Sequence, residues 1–203
     1  GSMYLVFGIL CAVLHAKKTG QGQVVDGSIV DGTANLMSMM YSMFNFNKWE
    51  DRRDINLLDG GAPFYTTYET SDNRHISVGA IEDKFYLEFI TKLELNLDEL
   101  PNRTDKSNWP KLKDIFQKII KTRTMREWEQ TYYGTDACVA PVLNFEEAFV
   151  DPHNTYRGIF PKAFNIIQPK PAPDLSMTPA PKITEKHKIR LTEAELFNQW
   201  DIK

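Results

Sequence analysis

Apolar residues run almost unbroken through MYLVFGILCAVLHA, and Lys17 and Lys18 end the run. The pattern predicts a helix over residues 3–16 that is buried on most of its sides. It is shorter than the ~20 residues that span a bilayer, and no positive charge precedes it as in a signal peptide. Such a helix needs a partner layer, so the chain is expected to be part of something longer. KKTGQGQ then reads as a turn, and QVVDGSIVDG as a short strand running into a helix. The Gly-x-Gly here lacks the third glycine of a dinucleotide fingerprint, and a plain turn is the favoured reading. Residues 30–46 predict one helix with Met37, Met40 and Phe44 on a single face. Its methionines, Met37, Met39, Met40 and Met43, have two readings. Core packing is favoured; an adaptable surface for varied apolar ligands is the other.

Residues 47–63 are charged and then glycine-rich, a connecting loop that ends in LDGGAP. Phe64 to Thr70 and His75 to Ile81 alternate as strands, and the SDNR between them predicts a hairpin. Apolar positions at Phe85, Tyr86, Phe89, Ile90 and Leu93 mark an amphipathic helix over 83–93. A second helix carries Trp109, Leu112, Ile115, Phe116, Ile119 and Ile120. Thr124 with Glu127 forms a capping box for a third. Cys138 to Leu143 is a short apolar strand, and Asn144 with Glu147 caps a brief helix that stops before Asp151-Pro152. Residues 161–183 hold six of the eleven prolines and read as an extended arm without regular structure. Thr192 and Glu195 cap a last helix with Leu196, Phe197 and Trp200 on its apolar face.

Composition narrows the function classes. The 203 residues are 42% hydrophobic and 25% charged, as in ordinary globular chains. A net charge of −3 supplies no basic field for nucleic acid or an anionic membrane, so neither is expected as a partner. Cys11 and Cys138 fit neither a disulfide framework nor a CxxC site, and read as buried thiols in a reducing cytoplasm. His15, His75, His153 and His187 stand far apart without an HxH or HExxH pair, so no metal site is expected.

One carboxylate stands out. In VGAIEDKFY, Glu82 lies where a strand feeds a helix. Acids favour a helix start because the free N–H groups and the dipole stabilise negative charge there, which is the plain reading. The other reading is chemical: Gly79 and Ala80 leave backbone room for a ligand, and a carboxylate there can orient a histidine acting as acid and base. With Tyr65 on the preceding strand, Gly79 and Ala80 form the candidate substrate-binding set. No obvious histidine in the chain partners Glu82, and spacing alone leaves both readings open.

The runs LDGGAPFYTTYET, ISVGAIEDKFY, ELPNRTDKSNWPKLK and GTDACVAPVLNFEEA, in that order, resemble the α-methylacyl-CoA racemases, which belong to the family III CoA-transferases. The resemblance extends from MYLVFGIL through residues 171–173. It implies interconversion of (R)- and (S)-2-methylacyl-CoA thioesters by α-proton removal and return through an enolate. A histidine–aspartate pair does this work in the family, and the GAIE glutamate, Glu82 here, hydrogen-bonds the histidine. The resemblance also moves Met37, Met39, Met40 and Met43 toward an acyl-chain surface. It implies no metal and no redox cofactor, CoA being part of the substrate, and an interlocked homodimer in the cytoplasm.

The histidine belongs to a GHDINY-like block and the aspartate to a GDFGGG-like block, and neither occurs in this sequence. The expectation is therefore the carboxyl-terminal part of a racemase, inactive alone, with an incomplete α/β fold of the family III CoA-transferase type. Residues 1–46 would be the remnant of a Rossmann-like large CoA-binding domain and 47–63 a linker. Residues 64–151 would be a small α+β domain, and 152–203 a Pro-rich arm and helix returning to the large domain. Two alternatives remain: a family III CoA-transferase with a nucleophilic aspartate, and a non-catalytic dimerisation module. The first tends to carry a glycine-rich loop where this chain has GAIEDKFY.

Overall fold

The computed structural model describes residues 1–163, 165–181, 192, 195, 197 and 198. The chain divides into two compact units, Gly1–Pro141 and Val142–Lys203. In the first, α1 (Ser2–Thr19) forms where the apolar run predicts a helix, and Gly20 closes it in the left-handed conformation at φ 78°. None of its residues is buried, and Phe7, Leu10 and Leu14 are exposed. No described helix is long and apolar enough to cross a membrane.

The expected strand after α1 does not form. Val25 instead lays its side chain against Gly8 of α1, where an added Cβ would come within 2.7 Å of it. Apolar alternation in this segment serves a helix contact rather than a sheet. The single helix expected over 30–46 is also two, α2 (Ile29–Leu36) and α3 (Ser38–Asn45). They part at Met37, whose φ of −85° and ψ of 5° leave the helical region. Around the break the Ser38 hydroxyl donates to the Asn35 carbonyl at 2.5 Å, and Thr33 to that of Ile29 at 2.8 Å. Side-chain hydroxyls of this kind compete with the helix ladder for its acceptors.

Beyond residue 63 the expectation of a mixed α/β fold is borne out. Strands β1 (Tyr65–Glu69), β2 (His75–Gly79) and β3 (Val139–Pro141) form an antiparallel sheet in the order β1-β2-β3. The turn residues act as their chemistry dictates: Asn73 takes φ 58°, and Asp72 accepts from the Thr70 hydroxyl at 2.5 Å and from Met125 N–H at 3.2 Å. One carboxylate thus joins the hairpin to the next layer.

That layer is α4 (Asp83–Lys92), α5 (Trp109–Ile120) and α6 (Met125–Tyr132). Its apolar stripes meet the sheet in one core, where Ile76, Phe89, Ile90, Leu112, Phe116, Ile120 and Trp128 are fully buried. Phe89 and Phe116 pack edge to face with centroids 5.3 Å apart. The Thr124–Glu127 capping box is present, and starts α6 against this core. At the outer edge of β1, Gln117 donates to the Glu69 carbonyl at 2.7 Å and accepts from its N–H at 3.1 Å.

In the second unit, Asn144 and Glu147 cap α7 (Phe145–Val150) as the sequence indicates. The Asp151-Pro152 break then starts a further helix, α8 (Pro152–Tyr156): Asp151 accepts from Asn154 N–H at 2.9 Å, and proline occupies the first turn. The arm also contains regular structure, contrary to expectation. Strands β4 (Lys162–Ala163) and β5 (Ile166–Ile167) pair antiparallel, with Asn165 at φ 65° between them. The prolines at 161 and 169 flank this ladder instead of interrupting it, which is why their count misleads. Thr192 and Glu195 exchange the expected capping bonds at 2.7 and 3.3 Å. Leu196 and Trp200, on the apolar face expected for that last helix, lie outside the described residues.

Candidate active site

The hairpin register sets Tyr65 opposite Gly79. Gly79 N–H donates to the Cys138 carbonyl at 2.9 Å, tying β2 to the approach of β3. A Cβ at Gly79 would stand 3.8 Å from that carbonyl oxygen and 4.0 Å from the Tyr65 ring. Tyr65, Gly79 and Cys138 line one open cleft of about 570 Å³, with Asp54, Gly60 and Thr67 also on its walls. The structure therefore brings together two of the expected substrate-side residues. Ala80, the third, is buried in the core. Met37 and Met39 are exposed while Met40 and Met43 are half-buried, and none of the four is among the residues lining this cleft.

One cleft wall is the loop before β1, which is built around Asn56, a fully buried polar residue. Its side-chain amide donates to the Glu50 carbonyl at 3.0 Å and to Asp59 at 2.7 Å, while its carbonyl accepts from Glu50 N–H at 2.8 Å. Asp59 also accepts from the N–H groups of Asn56 and Gly61, at 2.8 and 3.0 Å. Partial burial works to raise the Asp59 pKa, but the hydrogen bonds from Asn56, Gly61 and Ile55 outweigh it and hold the carboxyl below its ordinary range. Lys113 of α5 fixes the loop from below by donating to the Gly60 carbonyl at 2.5 Å. Apart from the LDGGAP glycines, no periodicity marks these residues, since the Asn56 and Asp59 bonds join positions two to six apart and that of Lys113 comes from α5.

Glu82 sits at the N-cap of α4 with extended backbone, φ −70° and ψ 146°, and its carbonyl accepts from Tyr86 N–H at 2.9 Å. Its side chain is exposed and makes no capping hydrogen bond. The acid in the first turn of the helix is Asp83, which pairs with Arg103. The work expected of a plain helix-start acid thus falls to the neighbouring residue.

Cys11 and Cys138 are both exposed, which corrects the reading of buried thiols. Cys11 lies on a helix with no buried residue, and Cys138 takes a left-handed backbone, φ 54°, at the entry to β3. The sulfur of Cys138 is partly desolvated and its S–H donates to the Asp136 carbonyl at 3.4 Å. That partial desolvation, then the carboxylates of Glu82, Asp136 and Glu88, push its pKa up against the opposing Lys84. The Glu82 carboxylate thus contributes negative charge at the Cys138 sulfur. Only thiolate alkylates, so at pH 8 Cys138 in a Cys11→Ser protein should react with iodoacetamide more slowly than a free cysteine peptide. Glu82→Gln should speed that reaction. An unchanged rate in the Gln variant would mean that the carboxylate faces elsewhere.

Among the described residues, no three His, Cys, Asp or Glu side chains are grouped to hold a metal ion. The chemistry the arrangement offers is that of an uncommitted carboxylate just beyond the end of the central strand β2, whose last residue, Gly79, lines an open cleft of backbone and hydroxyl groups.

Solved structures define the class of fold. The crystal structure of Rv3272 from M. tuberculosis superposes with a TM-score of 0.65 at 15% identity, over 85% of this chain and 45% of that one. Residues 1–185 match the model of CoA-transferase family III, and the chain belongs to that family. Human alpha-methylacyl-CoA racemase is 45% identical over 181 residues, 89% of this chain and 47% of the human protein. The mouse protein of the same name is 40% identical over 210 residues, 100% of this chain and 55% of its own length. The chain spans about half the length of these curated relatives. The family membership expected from the sequence blocks is borne out.

Proposed function

We propose that this chain is the carboxyl-terminal part of an α-methylacyl-CoA racemase, acting on 2-methylacyl-CoA thioesters. One observation carries the reading. In a chain 45% identical to the human racemase, the GAIE glutamate stands exposed at a strand–helix junction, with a side chain its own helix does not use. In this reading Glu82 accepts a hydrogen bond from a histidine carried by the rest of the enzyme. It fixes the tautomer and steadies the imidazolium formed when the α-proton is taken. The cleft of Tyr65 and Gly79 lies on the thioester side, and Met37, Met39, Met40 and Met43 offer thioethers to the acyl chain. The reaction needs no cofactor beyond the CoA of the substrate.

The same reading covers the apolar faces of α1 with the remainder of an interlocked homodimer. Two free thiols suit a reducing compartment, the cytoplasm. The chain alone should catalyse no exchange of the α-proton of a 2-methylacyl-CoA in deuterated water. Fused behind an amino-terminal racemase half that carries the GHDINY-like and GDFGGG-like blocks, it should exchange that proton and racemise the substrate. Exchange by the chain alone, lost in Glu82→Gln, would overturn the reading, and so would CoA transfer by the fused protein without racemisation.

A further inference from the structure

The ladder bonds of β2 end at Gly79 and α4 begins at Asp83, so residues 80–82 lie between two regular elements. Within that gap the backbone bonds present are few: Ile81 N–H donates to the Gly79 carbonyl at 2.9 Å, and the Glu82 carbonyl serves the first turn of α4. The carbonyls of Ala80 and Ile81 are taken by a side chain from a distant loop. Arg103 donates through one guanidinium nitrogen to the Ile81 carbonyl at 2.9 Å and to that of Ala80 at 3.4 Å. Its other terminal nitrogen pairs with the Asp83 carboxylate.

We propose that Arg103 is a positioning residue for Glu82: by gripping the backbone before it and the side chain after it, Arg103 sets where the Glu82 carboxylate points. The inference rests on the racemase reading of Glu82 for its functional consequence.

Several features make this contact a clamp rather than a surface ion pair. The Arg103 side chain is 14% exposed, whereas Asp83 is 99% exposed. An ion pair open to water on one side is worth little by itself. The grip comes from the charge-assisted bonds to carbonyls and from two aromatic rings beside the guanidinium, set edge to face at 78° to each other. Its central carbon lies 4.3 Å from the Tyr86 ring centroid and 4.7 Å from that of Phe64. The loop is fixed in turn, because Trp109 Nε1 donates to the Arg103 carbonyl at 2.8 Å and Asn108 to that of Asn102 at 3.0 Å. Lysine cannot replace this fork. One ammonium on a flexible stem does not span both carbonyls and a carboxylate while also contacting both rings.

Arg123 provides the control, since it pairs with Glu94 at 2.7 Å and lies 4.8 Å over the Trp128 ring, away from the junction. In the fused enzyme, Arg103→Met should lower kcat about 10- to 100-fold, the range typical when a group that orients a reacting residue is removed, and leave KM within about twofold. Arg103→Lys should not restore the rate, and Arg123→Met should leave kcat unchanged. Equal losses from Arg103→Met and Arg123→Met, or full activity with lysine, would overturn the assignment. Hydrogen exchange on the chain itself decides the structural half without turnover. In both Arg103 variants the Ile81 and Tyr86 amides should exchange at least about tenfold faster, with Phe89 and Phe116 unchanged. Protection at Ile81 equal to that in Arg123→Met would refute the clamp even if the fused enzyme is inactive. A silent parent fusion refutes the racemase reading alone.

Discussion

In the fused enzyme, Glu82→Gln is expected to slow racemisation by a factor of about 10 to 100 while the melting temperature stays close to that of the parent. Glutamine keeps the size of the side chain and much of its hydrogen bonding, but loses the charge that would steady a protonated histidine. Stability should hardly change, because the Glu82 side chain is exposed and makes no capping bond. A helix-start acid would behave in the opposite way. It would cost ~0.3 to 1 kcal/mol of stability and nothing in rate. Turnover and thermal unfolding measured on the same variant separate the two roles. Unchanged racemisation with a lowered melting point would leave Glu82 as a helix-start acid.

The largest stability effect is expected at Gly61. A Cβ there would lie 2.5 Å from the Ile55 carbonyl carbon and 2.6 Å from both the nitrogen and the oxygen of Asn56. All three are backbone atoms, so no rotamer relieves the clash, and the Asn56–Asp59 network must open. Gly61→Ala should cost about 3 kcal/mol or more, because it also leaves buried polar groups unpaired. For a chain of this size that lowers the melting temperature by roughly 6–12 °C. Gly60→Ala is the comparison: its φ of 92° is costly for a side chain, but an added Cβ meets nothing nearer than 3.4 Å. That variant should lose only about 1–2 kcal/mol. A Gly61→Ala protein melting within about 2 °C of the parent would show that the loop does not hold this conformation.

Much of the fold could be read from local chemistry. Asp72 and Asn73 announce the hairpin, the first through its side-chain bonds and the second through its left-handed conformation. Thr124–Glu127 and Asn144–Glu147 announce helix starts because their caps close within four residues. What escaped depends on competition or on distance. Met37 breaks a helix that periodicity alone would continue, since Ser38 and Thr33 bond to backbone carbonyls. The β4–β5 ladder fits between prolines whose number suggested no ladder at all. Of the candidate site, Glu82, Gly79 and Tyr65 were legible as a junction, a gap and a neighbour. Cys138 and Asp54 were not, because only the folded sheet and loop bring them to the same cleft.

The Gln117–Glu69 pair bears on how this sheet ends. An edge strand offers its outward N–H and C=O to any passing strand, and sheets grow or aggregate by that route. Here a helix side chain already occupies one such pair, because the primary amide of Gln117 presents a donor and an acceptor in the same order as a peptide unit. An incoming strand would have to evict Gln117 before it could add to β1 at Glu69. The covering layer therefore also acts as a chain terminator for the sheet, and does so with one residue of α5.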